Sequence, residues 1–429
     1  MKGKIAVVGI EDPKFCYRFI SNAINSSAIE GWSLVIYDLD KTKLKIIDQL
    51  AKKMNAEAGR GLEVEPKKGL REALEGADFV IVDLRIDKYN RWRKDWSIPY
   101  SIGIKQVIGE NGGPGGLFNT LRIIPPILDL AHTMEEVCPK ALMLNFTTPV
   151  PRICLAVSSF TDVKVVGVCN EIDYKIRSLA KIMGVPTQIL TSTSAGINYF
   201  SFFKELKFKD GSNAYPSLEE GLRKAKGFQP LSKAIYKKFG LFPSTSDNYL
   251  GEYLAYGWEA CLPDQRGIDW INQQEAEEAG EWKQLRSIIQ SQGNPEIGQS
   301  EEEAAIRIIS GIISNSGQIE PQINILNKGQ IKSLLLGSIV ESPAKINRSG
   351  IHPIDIGELP SGISTLCNLQ IIIQGLAVQA AIKGDREIAR KAMLLDPVIR
   401  DNNLGMKAFE ALFKVHEDML PQFKKDKTF

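Results

Sequence analysis

The chain has 429 residues, a formal net charge of +2 and 43% hydrophobic content, which suits a globular protein of two or three domains. So balanced a charge excludes a global field that would draw in nucleic acid or an acidic membrane. No apolar run is expected to approach the roughly 18 residues of a membrane span. Six scattered cysteines without a C-x-x-C pair argue against a disulfide framework or a structural zinc site, and for a reducing cytoplasm. Met1-Lys2-Gly3 leads into a strand, which leaves no room for a signal peptide. Three histidines, His132, His352 and His416, limit any mechanism built on imidazole.

In chain order, residues 4–9 read as a β-branched strand ending in glycine. Asp12-Pro13 then reads as an N-cap and first helical turn. Residues 34–37 form the next strand and end at Asp38. Further strands are expected at 63–65, 79–84, 106–108, 142–145, 163–168 and 188–190, with helices between most of them. Such alternation implies a parallel sheet covered on both faces, with ligands outside the carboxyl ends of its strands. After about residue 194 the rhythm changes. A strand at 201–208 enters a hairpin at 209–212. Helices are expected at 218–225, 231–239, 247–260, 273–290, 301–314, 366–383 and 386–395, and strands at 322–327 and 331–341. The fold class is therefore α/β. A Rossmann-like doubly wound domain covers residues 1–194, and a C-terminal α+β domain for substrate binding and oligomerisation covers 195–429.

Gly109-Glu110-Asn111-Gly112-Gly113-Pro114-Gly115-Gly116 stands out. Five glycines in eight residues let a backbone come close to a partner, and Glu110 is the one charge among them. The stretch lies between an apolar strand-like run at 104–108 and a long helix at 117–137, and reads either as a flexible surface loop or, with the polar residues just upstream, as part of a functional site with Glu110 exposed to a partner. Just upstream, Arg91, Arg93 and Asp95 leave a buried strand. Gly9-Ile10-Glu11-Asp12 sits where a dinucleotide fingerprint would be, with only the first glycine of G-x-G-x-x-G kept. A helix N-terminus can still hold a pyrophosphate, although Glu11 and Asp12 place negative charge there. Asp38 fits a carboxylate that accepts both ribose hydroxyls and favours NAD over NADP.

Asn145-Phe146-Thr147-Thr148-Pro149 and Cys169-Asn170-Glu171 end two strands. Cys169 reads either as packing or as a thiolate ligand for a divalent metal. Asn198-Tyr199 is the next polar pair. Tyr249, Tyr253 and Tyr256 fall at i, i+4 and i+7 of a helix. They form either a packing face or a source of a tyrosinate base, the latter only if a cation lowers a pKa that is about 10 when free.

Together these stretches resemble the family 4 glycoside hydrolases. The resemblance is carried by GENGGPGGLFNTLR (109–122), Cys138-Pro139-Lys140-Ala141 with Asn145–Pro149, VGVCN (166–170), NKGQIKSLLLGSIVESP (327–343) and GDREIARKAMLLDP (384–397). It implies a lactate/malate dehydrogenase-like architecture, a homodimer or homotetramer, and a small-molecule glycoside as substrate. It also implies an NAD-dependent redox elimination rather than paired-carboxylate hydrolysis: oxidation at sugar C3, deprotonation at C2, loss of the C1 substituent, addition of water and reduction. By position, Gly9, Ile10, Asp38 and Asn145 would hold NAD. Arg91, Asn145 and Asn198 would contact the sugar, with Glu110, Asn170 and Tyr249 or Tyr253 in catalytic roles. Cys169 matches the family's metal-binding cysteine. The metal-binding histidine, which follows an asparagine in the family, is Tyr199 here, so use of a divalent metal of the manganese type is left open. A sugar or hydroxy-acid dehydrogenase and a non-catalytic sugar or nucleotide sensor are the competing readings.

Overall fold

The computed structural model describes residues 3–59, 62–291, 293, 295, 297 and 303–424. Twelve strands form one sheet. They are β1 (Lys4–Val8), β2 (Ser33–Tyr37), β3 (Glu63–Pro66), β4 (Phe79–Val82), β5 (Leu142–Asn145), β6 (Lys164–Val168), β7 (Leu190–Ile197), β8 (Phe200–Phe208), β9 (Phe242–Pro243), β10 (Ile319–Leu326), β11 (Ile339–Asn347) and β12 (Gly350–Pro353). Their order is β3-β2-β1-β4-β5-β6-β10-β11-β7-β8-β9, with β12 beside β11. The first six are parallel, in the order of a doubly wound nucleotide-binding sheet. β10 then pairs antiparallel with β6, Ile323 opposite Val168, and the antiparallel C-terminal strands extend the same sheet.

The local reasons follow the composition. β1, KIAVV, is buried along almost its whole length, as a central parallel strand with helices on both faces requires. Helix Pro13–Asn25 begins on Asp12, whose side chain accepts from the Phe15 N–H at 3.0 Å. Such a cap is worth roughly 1 kcal/mol. The helix turns Phe15, Phe19, Ile20 and Ile24 inward against the sheet. Gly9 has φ +84°, and a Cβ there would collide with the Asp83 carbonyl at the end of β4. Glycine is therefore required for β1 and β4 to close together before the first helix.

Several expected elements differ. Residues 106–108 are not a strand. The carbonyls of Gln106, Val107 and Ile108 accept instead from the indole N–H groups of Trp92 and Trp96, so buried backbone is satisfied by side chains rather than by a ladder. Arg91, Arg93 and Asp95 lie on helix Lys88–Ile102. The expected helix at 247–260 breaks into Asp247–Gly251 and Gly257–Ala260, so the three tyrosines share no helix face. β11 starts at Ile339, not 331. Helix Asn402–Val415 and strand β12 went unexpected. Residues 301 and 302 of the helix expected at 301–314 lie outside the described residues, and the observed helix is Ala304–Ser314. The expected domain boundary after residue 194 falls inside β7. Helix Ser361–Lys383 is long and apolar enough by composition to cross a membrane, against expectation. Half of that apolar stretch is buried, and Cys367 and Ile371 on it belong to the core formed with Phe200 and Tyr253.

Candidate active site

The carboxyl ends of the parallel strands carry the polar residues, as expected of such a sheet. Gly9 follows β1, Asp38 follows β2, Arg85 lies just beyond β4, Thr148 beyond β5 and Cys169 beyond β6. A cleft of about 440 Å³ opens there, within the roughly 300–1,000 Å³ typical of small-molecule sites. Arg85, Lys88, Glu110, Thr148, Cys169, Asn170, Tyr199 and Tyr249 line it. Helix Gly267–Gln290 contributes Glu277, Glu278 and Glu281 to its outer wall.

The glycine-rich stretch is a buried turn rather than an exposed loop, and Glu110 is only 9% exposed. It is held from several sides. Buried Glu252 accepts from the N–H of Glu110 at 2.6 Å, from the N–H of Asn111 at 3.1 Å and from Asn111 Nδ2 at 3.1 Å. A Cβ at Gly112 would strike the Glu252 carbonyl, so glycine permits that approach. Arg152 donates to the Asn111 and Gly116 carbonyls at 2.8 and 2.6 Å, and Asp396 accepts from the Gly113 N–H at 3.0 Å. A turn fixed this way presents the Glu110 side chain rigidly. Its carboxylate accepts from the Thr148 hydroxyl at 3.0 Å.

Tyr199 and Tyr249 stack in the cleft wall, ring centroids 4.1 Å apart and planes 8° from parallel. Tyr199 lies in the tight turn between β7 and β8 with φ +59°, a conformation that strains a bulky residue. Burial pushes both phenols well above their ordinary pKa. Cys169 and Tyr249 add to this for Tyr199, and Glu110, Glu171 and Glu252 for Tyr249. Burial, with Glu341 and Glu171 nearby, pushes the Cys169 thiol up to about 12. These groups are held uncharged.

Other expected site residues sit outside the cleft. Tyr253 is buried and donates to the Asn198 carbonyl at 3.3 Å. Asn198 is buried behind Cys169 and donates to Glu341 at 3.1 Å. Asn145 closes a local turn with Thr147. Arg91 bonds to Asp87 at 3.0 Å and to Asp418, and lines a small adjoining pocket of about 40 Å³ that also touches Glu110. Asn170 is in the cleft and donates to Glu303 at 2.9 Å. Sequence reasoning missed Arg85, Lys88 and Glu252. The first two were legible as charges just after the 79–84 strand.

The model of the family described as Family 4 glycosyl hydrolase matches residues 4–185, and that of its C-terminal domain matches residues 194–399. The chain is 33% identical to an alpha-glucosidase of Erwinia rhapontici, over 93% of this chain and 94% of that one. The chain belongs to family 4 of the glycosyl hydrolases. This family 4 glycoside hydrolase is also 28% identical to an alpha-galactosidase of Bacillus subtilis (strain 168), over 98% of this chain and all of the other. In fold it matches a 6-phospho-alpha-glucosidase from gut microorganisms, solved in complex with NAD and Mn2+, with a TM-score of 0.85 at 20% identity. That match covers 99% of this chain and 100% of the other.

The residues of this family 4 chain fit a dinucleotide at the ribose end. Asp38 is half-buried at the tip of β2. It accepts from the Ile10 N–H at 2.9 Å and from the Asp40 N–H at 2.6 Å, one on each oxygen, which leaves lone pairs for ribose hydroxyls. At the turn below, Lys43 pairs with Glu11 at 2.8 Å and offsets one of the two acids. The residues do not fit a divalent metal. Among the described residues no three His, Cys, Asp or Glu side chains converge to hold one. Cys169 stands beside a neutral phenol at the histidine position, whereas catalytic metals normally take about three protein ligands.

Proposed function

We propose that this chain is an NAD-dependent glycosidase that works by oxidation at C3, deprotonation at C2 and elimination at C1, and that it does so without a resident divalent metal. The observation that supports it best is Glu110, on a turn held from several sides, lining with Tyr249 a cleft at the carboxyl ends of the parallel strands, next to a turn fitted for NAD. NAD bound at the turn after β1 and the tip of β2 would supply the hydride acceptor for C3. Asp38 would hold the adenosine ribose, and Gly9 and Ile10 would line the turn. Glu110 would take the C2 proton. Tyr249 and Tyr199, kept as neutral phenols, would donate hydrogen bonds to sugar oxygens. The Arg85 guanidinium would face the charge that develops on the enediolate, a task suited to a fixed cation in a site sheltered from water. Arg91, Asn145, Asn198 and Tyr253 act behind the cleft as positioning residues.

The deciding experiment is turnover in deuterated water with NAD-loaded protein and a panel of glycosides, with and without EDTA. Deuterium is expected at C2 of the released sugar, at a rate that chelation leaves unchanged. Product without deuterium, or net accumulation of NADH, would overturn the elimination reading, the latter in favour of a dehydrogenase. Loss of turnover on chelation would overturn metal independence alone. For the cofactor, Asp38→Asn is expected to raise the NAD Kd by roughly tenfold, equivalent to about 1.4 kcal/mol, as read by isothermal titration. An unchanged Kd would remove Asp38 from the site.

A further inference from the structure

Relatives of this chain differ in whether the sugar they take is charged, and the cleft carries a record of that choice. Three cationic side chains line it: Lys14, Arg85 and Lys88. Each already faces a carboxylate. Lys88 pairs with Glu278 at 3.0 Å, Arg85 with Asp83 at 3.4 Å, and Lys14 with Glu281. The Lys88–Glu278 pair is further locked by Tyr89, whose hydroxyl donates to the same carboxylate at 2.6 Å. Both partners are largely shielded, with side-chain exposures of 19% and 16%. Beyond these pairs the cleft holds further carboxylates: Glu110, Glu171, Glu277 and Asp12. The acids lining it number six against three cations.

A phosphoryl group or a uronate entering this space would find Lys14 and Lys88 already paired, and Arg85 beside Asp83 and given over, in the reading above, to the enediolate. It would have to displace a half-buried carboxylate from its partner, at the cost of leaving that carboxylate unpaired, or sit among like charges. Sugar hydroxyls meet no such obstacle, since carboxylates and amide oxygens accept from them readily. Resting on the glycosidase reading above, we infer that the cleft selects a neutral, unphosphorylated glycoside and rejects 6-phosphorylated sugars and uronides through the excess of carboxylates that line it and the paired state of Lys88 with Glu278. Glu278 is then a specificity residue. It fills the charge that an anionic substituent would otherwise use.

The test compares binding and turnover on the full-length protein. In the presence of NAD, isothermal titration would measure methyl α- and β-glucopyranoside and the corresponding galactosides against glucose 6-phosphate and galacturonate. The neutral ligands are expected to bind at least tenfold tighter than either anion. Glu278→Gln is expected to narrow that ratio by about tenfold for glucose 6-phosphate, and that gain is expected to shrink as salt rises. Equal or tighter binding of the anions by the wild-type protein overturns the inference, as does failure of every neutral sugar to bind. A separate titration with NAD alone distinguishes the two levels. NAD binding with a preference for anions sinks only the substrate class, whereas absent NAD binding sinks the glycosidase reading itself.

Discussion

Replacing Glu110 by Gln is expected to lower kcat by roughly 10²–10⁴-fold, the usual worth of a positioned acid or base, with little change in stability. The side chain keeps its shape, and Thr148 can still donate to the remaining carbonyl oxygen. Solvent deuterium uptake at C2 is expected to fall in parallel with turnover, because proton removal precedes loss of the C1 substituent. Tyr249→Phe serves as the control. A phenol held neutral by burial and by Glu110, Glu171 and Glu252 around it contributes a hydrogen bond, so its loss is expected to reduce kcat by no more than about tenfold. If the Phe variant loses exchange while the Gln variant keeps it, the two residues exchange roles.

The second large effect is on stability. Glu252→Ala removes the acceptor for two backbone N–H groups of the glycine-rich turn and for the Asn111 amide. Leaving a buried donor without an acceptor costs about 1–3 kcal/mol for each group stranded. A fall of that size in the unfolding free energy is expected in urea titration, together with loss of activity as the turn loosens. Glu252→Gln is expected to be mild and informative. Burial, and then repulsion from Glu110, push the Glu252 carboxyl up to about 8, although its hydrogen bonds to Asn111 and Glu110 pull the other way. The folded chain then holds a proton there that the unfolded chain has released above its ordinary value of 4.5. Wild-type stability should therefore decline as pH rises from about 4.5 to 8, and the Gln variant should lack that decline. The buried Asn111 Oδ1 has no hydrogen-bond partner. An inverted Asn111 amide would offer it to the protonated acid, or to the Gln amide.

The parallel half of the fold was legible because its strands are short β-branched runs broken by glycine, acid or proline. Residues 34–37, 79–84, 142–145 and 163–168 all fall on observed strands to within two residues. Periodicity failed where apolar content had another cause. Val107 and Ile108 are buried beneath two tryptophans, and residues 331–338 form an irregular turn ahead of β11 in which Ile331 and Leu334 are buried while Leu335 and Leu336 are exposed. The tyrosine pattern misled for a related reason. Gly251 ends the helix, so Tyr253 turns into the core while Tyr249 stays in the cleft. Of the proposed site, Asn170, Cys169 and Asp38 were visible as polar residues at strand ends, and Glu110 as the one charge in a glycine-rich stretch. Glu252 was not, because its partners lie far away along the chain and no local spacing marks a carboxylate whose role is to hold a distant turn.

The pairing of β6 with β10 has a consequence for biosynthesis. When the ribosome has released the nucleotide-binding half, β6 is still an uncovered border, with its outward N–H and C=O groups waiting for a strand from much later in the chain. That border is a template for association with other chains, and contacts so distant in sequence form slowly. Fragments cut between the two strands are therefore expected to aggregate rather than fold, as light scattering of such a fragment would show.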